Sequence, residues 1–252
     1  MTLTMGTPAL QLTGVTKSFG SVSALEHVDF TAYRGEIHAI VGDNGAGKST
    51  IVKIVTGIYR ADDGEILVNG ESVGLRRTTA DAVDHGIAVV YQDLALVECL
   101  DISTNLALGN LPRKFGVVLD RRTMERDASD VLTSLKVRVG DVRTPVGLLS
   151  GGQRQIVAIA RAVRMNKSII LLDEPTAALG VQESLKVGTI IDQLGDAGQT
   201  VICVSHDLEF VFEHADRITV LRLGRSVGTR KTSEVTRDEI IGMITGAVAA
   251  AS

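Results

Sequence analysis

Residues 42–49, GDNGAGKS, constrain this chain more than any other stretch, because they set three glycines, a lysine and a hydroxyl between two runs of opposite character. Before them stands IHAIV, a short apolar run of buried-strand type; after them KSTIVKIVTG has the spacing of a helix. Glycines at 42, 45 and 47 let the backbone turn its N–H groups inward, and the helix dipole favours negative charge there. Such a segment cradles phosphate oxygens. Lys48 adds a full positive charge, and Ser49 offers a hydroxyl to Mg²⁺, which otherwise keeps water and phosphate oxygens as ligands. The alternative is a glycine turn that merely links strand to helix, and the flanks weigh against it.

Three further apolar runs, SIILLD at 168–173, TVICVS at 200–205 and RITVLRL at 217–223, have the same buried-strand character, with helical segments between several of them. SIILLDEP delivers Asp173 and Glu174 to the exposed C-terminal end of its strand, the edge at which such sheets bind ligands. There Asp173 would hold Mg²⁺ through water, and Glu174 would polarise the attacking water as general base. TVICVSHD repeats the arrangement, with Ser205 and His206 ahead of a helix whose Leu208, Val211, Phe212 and Ala215 share one face. His206 would reach the γ-phosphate.

The first 35 residues alternate apolar and polar, as antiparallel strands with one solvated face do. Over about 93–164 the pattern is helix after helix with no strong strand, which predicts a helical subdomain inserted into an α/β core. One of these helices, DRRTMERDASDVLTSLKV, gathers Met124, Ala128, Val131, Leu132 and Leu135 on one face. The insertion also holds LSGGQ at 149–153, a second glycine-rich helix start with no phosphate of its own to hold. Near the end, TRDEIIGMITG carries Thr236 and Glu239 at capping-box spacing.

At 252 residues the chain buries most of its apolar surface without disulfides, and Cys99 and Cys203 read as small hydrophobes in a reducing compartment. A net charge of −4 and an aromatic content of 3% with no Trp argue against a nucleic-acid groove. No apolar run is long enough to span a membrane, and MTLTMGTPAL lacks the basic start of a signal peptide. A soluble, cytoplasmic protein is expected.

GDNGAGKST, YQD at 91–93, LSGGQ, ILLDEP and VSHD follow one another in an order that resembles the nucleotide-binding subunit of ATP-binding cassette (ABC) transporters, over about 12–246. The resemblance implies an α/β, P-loop NTPase cassette with a mainly parallel core sheet, an N-terminal antiparallel β subdomain and an inserted helical subdomain. A single domain at 8–250 is expected, with about 93–164 as its helical part. The implied cofactors are ATP and Mg²⁺. Gly42, Asp43, Asn44, Gly45, Ala46, Gly47, Lys48, Ser49 and Thr50 would hold the phosphates, and Phe19 in KSFG would stack on adenine unless it is a buried core residue. Glu174, His206 and Lys48 would be catalytic; Ser49, Gln92 and Asp173 would serve the metal. In this family two copies bind head to tail, so Ser150, Gly151, Gly152 and Gln153 would close over the ATP held by the neighbour. One departure stands out: where the family commonly has SALD, this chain has Ala177, Ala178, Leu179 and Gly180, which lacks the aspartate that links the two sites.

GDNGAGKST, VYQDLALVECLDISTNLALG and VFEHADRITVLRLGR look like the branch that imports simple sugars such as ribose, xylose or fructose in bacteria. By that resemblance the partners are a second copy, a membrane permease touched by residues 92–108, including Leu96 and Leu100, and, indirectly, an extracytoplasmic sugar-binding protein. The chain would sit on the inner face of the bacterial cell membrane, and a β-rich regulatory tail is not expected. The rival readings are a soluble cassette ATPase working on ribosomes or DNA, a P-loop kinase or GTPase, and a nucleotide-binding pseudo-ATPase. Tandem cassettes, coiled coils and zinc cysteines are missing for the first, LSGGQ argues against the second, and Glu174 against the third.

Overall fold

The computed structural model describes residues 7–75, 78–115, 117–137 and 139–247, so the expectations for residues 1–6 and 248–250 lie outside it. Strands β1 (Pro8–Phe19) and β2 (Val22–Tyr33) pair antiparallel through the turn at Gly20. The chain then runs through β3 (Ile37–Val41) and the glycine loop into helix α1 (Lys48–Val55). It returns as β4 (Asp63–Val68) and β5 (Glu71–Ser72), completing a four-stranded antiparallel sheet of order β2-β1-β4-β5. Helix α2 (Thr79–Asp84), capped by Thr78, leads into β6 (Ile87–Val90).

Before the next core strand come α3 (Ile102–Ala107), a hairpin of β7 (Arg113–Lys114) and β8 (Val118–Leu119), α4 (Arg121–Ser134) and α5 (Gly151–Arg164). The remainder is β9 (Ile169–Asp173), α6 (Val181–Asp196), β10 (Thr200–Val204), α7 (Leu208–His214), β11 (Arg217–Arg222), β12 (Arg225–Lys231) and α8 (Arg237–Thr245). These strands form a six-stranded sheet of order β12-β11-β3-β10-β9-β6, parallel except for β12.

Strand periodicity divides the core. Successive side chains point to opposite faces, so Ile169 and Leu171 of β9 join α1 and the antiparallel sheet, whereas Ile170 and Leu172 pack under α5 and α6. Strand β10 repeats this, with Ile202 and Val204 on the first side and Val201 and Cys203 on the second. Each such Ile or Leu contributes about 1.5–3 kcal/mol through burial. Burial also pushes the Cys203 thiol up to about 12, which leaves it an inert filler, while Cys99 is exposed.

Helix α4 buries Met124, Ala128, Leu132 and the following Leu135, with Val131 at the margin of that face. Helix α7 keeps its expected face, with Val211 buried and Leu208, Phe212 and Ala215 packed partly covered against the same cluster, and it buries Phe210 as well. The reason is its position between two clusters: Phe210 enters the one under α6 and Val211 the one beneath α8. Thr236 and Glu239 do form a capping box at the start of α8.

His38, on β3, is fully buried; its Nδ1 lies 2.8 Å from Glu36 Oε1 and its Nε2 lies 2.8 Å from Thr219 Oγ1. A carboxylate only accepts, so Nδ1 donates to Glu36, and the neutral ring accepts from Thr219 at Nε2. Burial, opposed by Glu36, holds the imidazole below its usual 6.5. The unfolded chain therefore takes up that proton more readily. The stabilisation is whole above pH 6.5 and is lost as pH falls below it toward the folded pKa. His38→Gln should flatten this part of the decline, read as thermal midpoints between about pH 7.5 and 5.5.

Candidate active site

Parallel neighbours deliver their C-terminal ends in a row. In the order β3, β10, β9, β6, the sheet edge presents the glycine loop, His206, the Asp173–Glu174 pair and Gln92. A cavity of about 300 Å³ is lined by residues 43–50 with Ala24, Gln92, Glu174 and His206. A neighbouring cavity of about 400 Å³ shares Asp43, Asn44 and His206, but its far wall is Leu208, Ile241, Ile244 and Thr245, whose hydroxyl already donates to the Ile241 carbonyl at 2.9 Å.

The glycine loop owes its shape to close approach on both sides. A Cβ at Gly42 would lie 2.2 Å from the Leu221 carbonyl oxygen, and one at Gly47, where φ is 104°, would lie 2.6 Å from Leu25 and 2.9 Å from the Ala24 carbonyl. No side chain caps α1, so the N–H groups of its first turn are left for a ligand. Lys48, buried at that turn, donates from Nζ to the carbonyls of Gly42 at 2.6 Å and Asp43 at 3.1 Å. An ammonium has three donors, and one remains free.

Glu174 follows β9 with φ at 52°, a left-handed conformation that a non-glycine residue adopts only when its surroundings enforce it. Its N–H donates to the Val204 carbonyl at 2.8 Å, and its Oε2 lies 2.8 Å from His206 Nδ1. The carboxylate can only accept, so Nδ1 carries the proton, which leaves Oε1 of Glu174 uncommitted. Asp173 Oδ1 is buried with no hydrogen-bond partner. Burial, then the charge of Glu174, pushes the Asp173 carboxyl above the usual carboxylate range, against the pull of Lys53 and Lys48. An orphaned carboxylate oxygen next to the Glu174 charge suits a hydrated divalent cation, for which the cavity lining adds the hydroxyl of Ser49 and the amide of Gln92.

The LSGGQ segment stands apart. Ser150 caps α5: its Oγ accepts from Gln153 N at 3.2 Å, and its own N–H donates to Gln153 Oε1 at 2.9 Å. Gly152 leaves room for the Glu183 side chain, which a Cβ would strike at 2.2 Å. Among the described residues that line the 300 Å³ cavity, none comes from 149–153. Gly151 instead lines a cleft of about 270 Å³ with Gln92, Leu94, Leu96 and Leu179, so Gln92 faces both clefts. Gly180 begins α6 with no side-chain cap. Phe19 is 44% exposed, meets Tyr59 edge-on at 5.1 Å and lies outside the cavity lining, which removes the reading of it as a core residue.

Sequence reasoning missed Arg154 and Arg161. They stand two turns apart on one face of α5, and their partners across the insertion leave no mark in the sequence. Arg154 Nη1 donates to Glu98 Oε1 at 2.9 Å, and Arg161 donates to the carbonyls of Ala95 at 2.6 Å and Leu94 at 2.7 Å. The helix that Ser150 caps thereby grips the loop after Gln92, where Leu94 and Ala95 hold φ of 59° and 45°.

A glycine loop wedged between β3 and α1, facing strand-end carboxylates, defines a P-loop nucleotide-binding cassette. A family model described as ABC transporter matches residues 25–177, and the chain belongs to that family. It is 45% identical over 95% of its length to the ribose import ATP-binding protein RbsA 1 of Rubrobacter xylanophilus, covering 47% of that protein. It is 40% identical to the fructose import ATP-binding protein FrcA of Rhizobium meliloti, covering 95% of each chain. The chain spans about half the length of most of the curated relatives it matches, and nearly all of the fructose one. A nucleotide-free ATP-binding cassette from an ABC transporter superposes with a TM-score of 0.80 at 24% identity over 94% of this chain and 95% of that one. A dimeric cassette in a post-hydrolysis state, bound to ADP and Pi, gives 0.76 at 28% identity over 88% and 98%.

Arg161→Met should release the loop after Gln92 at a cost of about 1.5–3 kcal/mol, the range for hydrogen bonds involving a charged group. Chemical denaturation would read that loss, and hydrogen exchange at 94–96 would rise selectively.

Proposed function

We propose that the chain is the ATP-hydrolysing subunit of an importer for a simple sugar, acting as an ATP-clasped pair beneath a membrane permease. The observation that carries the catalytic part is one cavity in which Glu174 and His206 face a glycine loop, beside the orphaned oxygen of Asp173. Relatives named for ribose, fructose, galactofuranose and arabinose transport or import support the sugar, and these names also weigh against work on ribosomes or DNA.

In this reading the N–H groups of residues 43–50 and the spare donor of Lys48 hold the β- and γ-phosphates. Ser49, Gln92 and, through water, Asp173 would hold Mg²⁺, which would supply positive charge to neutralise the phosphate oxygens. Glu174 takes a proton from the attacking water through Oε1, while His206 keeps Oε2 in place. His206 donates to the γ-phosphate once its Nε2 is protonated, because Nδ1 is committed to Glu174. Phe19 offers an exposed face to adenine.

Ser150, Gly151, Gly152 and Gln153 complete the site from a second copy, since within one chain they cap a helix away from the cavity. Residues 8–250 act as one cassette, with about 93–164 as its helical arm. Among the described residues no helix is long and apolar enough to cross a membrane. The chain is placed in the cytoplasm, on the inner face of the bacterial membrane, with residues 92–108 against the permease and a sugar-binding protein feeding the complex from outside.

Glu174→Gln should retain ATP binding and lower turnover by about 10²–10⁴-fold, the usual contribution of a general base, while trapping dimers visible by size exclusion. Normal turnover in this variant would remove Glu174 from the role. Ser150→Arg should spare nucleotide binding and prevent the ATP-dependent dimer; a dimer formed as before would count against the shared site. Changing Leu96 and Leu100 together to Asp should abolish recruitment to permease-containing membranes, and intact transport would move the contact elsewhere.

A further inference from the structure

The hairpin of β7 and β8 carries side chains that the fold does not use. Phe115 is 97% exposed and Val117 79%, and Val118 and Leu119 are also exposed. Surface apolar residues normally occur singly, yet here four fall within five positions.

Basic residues bracket them. Arg113 and Lys114 precede the tip and Arg121 and Arg122 follow it, against the single acidic Asp120, in a chain whose net charge is −4. Lys114 lies 3.4 Å from that aspartate. Among the described residues Arg113 and Arg122 meet no carboxylate within ion-pair distance. The register Arg113↔Leu119 and Lys114↔Val118 holds the basic strand beside the apolar one, so cation and hydrocarbon share a narrow finger.

We propose that this hairpin is a contact for an anionic lipid surface, with Phe115 and Val117 entering the acyl boundary and Arg113, Arg121 and Arg122 meeting lipid phosphates. An apolar tip with arginines at its base matches the layering of a bilayer interface, where hydrocarbon lies below charged headgroups. A projecting finger needs no preformed pocket in a fluid surface, whereas a protein partner would have to supply one. The segment follows directly from the 92–108 stretch placed against the permease, but lipid contact by this chain alone does not rest on that placement.

The test uses the full chain with vesicles of phosphatidylcholine alone and with about a third phosphatidylglycerol. The protein should co-sediment with the anionic vesicles, lose binding as salt rises, and partition about tenfold less onto neutral ones. Phe115→Ser with Val117→Ser should weaken partitioning about tenfold, and Arg113→Glu with Arg122→Glu should abolish the preference for anionic lipid, with ATP hydrolysis unchanged in both. The chain contains no Trp, so Phe115→Trp supplies a single indole reporter, whose emission should shift to the blue on anionic vesicles. An unshifted emission, equal partitioning onto both vesicle types, or binding only when purified permease is present in neutral lipid would overturn the proposal.

Discussion

The tightest constraint in this molecule is the squeeze on the glycine loop from two layers at once. Gly42 is pressed against the carbonyl of Leu221 on β11, and Gly47 against Ala24 and Leu25 on β2. The cradle is therefore shaped by the packing of the parallel sheet against the antiparallel one, with α1 and its buried Ile51, Val52, Ile54 and Val55 wedged in the shared core. A shift of either layer alters the cradle, because neither glycine has room to yield.

The same sheet assembles the charges. Four of its parallel strands end at the candidate site, and two residues there are held in locally unfavourable states. Glu174 is held in a left-handed backbone conformation, and Asp173 beside it has a buried oxygen with no partner. Both are unfavourable locally, and they persist because the paired strands around them, with the Glu174 N–H bonded to Val204, allow little else. A divalent cation held by Asp173 would relieve the second of them.

Much of this was legible in the sequence, and the reasons are physical. IHAIV, SIILLD and TVICVS are strongly apolar because both faces of their strands are buried, and the structure places strands there within a residue or so of the expected ends. Strands β4 and β6 went unread: DGEILV is half exposed at an antiparallel layer, and IAVV is only four residues long. Phe210 was missed because α7 lies between two clusters and buries residues on two sides, which defeats a one-face periodicity. The grip of Arg161 on Leu94 and Ala95 was unreadable, since it joins residues 66 and 67 positions apart through backbone carbonyls, which carry no sequence signature.

The cap on α5 has one more implication. A serine hydroxyl has two lone pairs and one hydrogen, and the bond from Gln153 N consumes a lone pair only. That bond pins the rotamer while the hydrogen stays unspent, so Ser150 is oriented in advance as a donor. An oxyanion arriving from outside the chain would meet an oxygen whose χ1 freedom had already been surrendered to the helix, with only the O–H rotor left to order on contact.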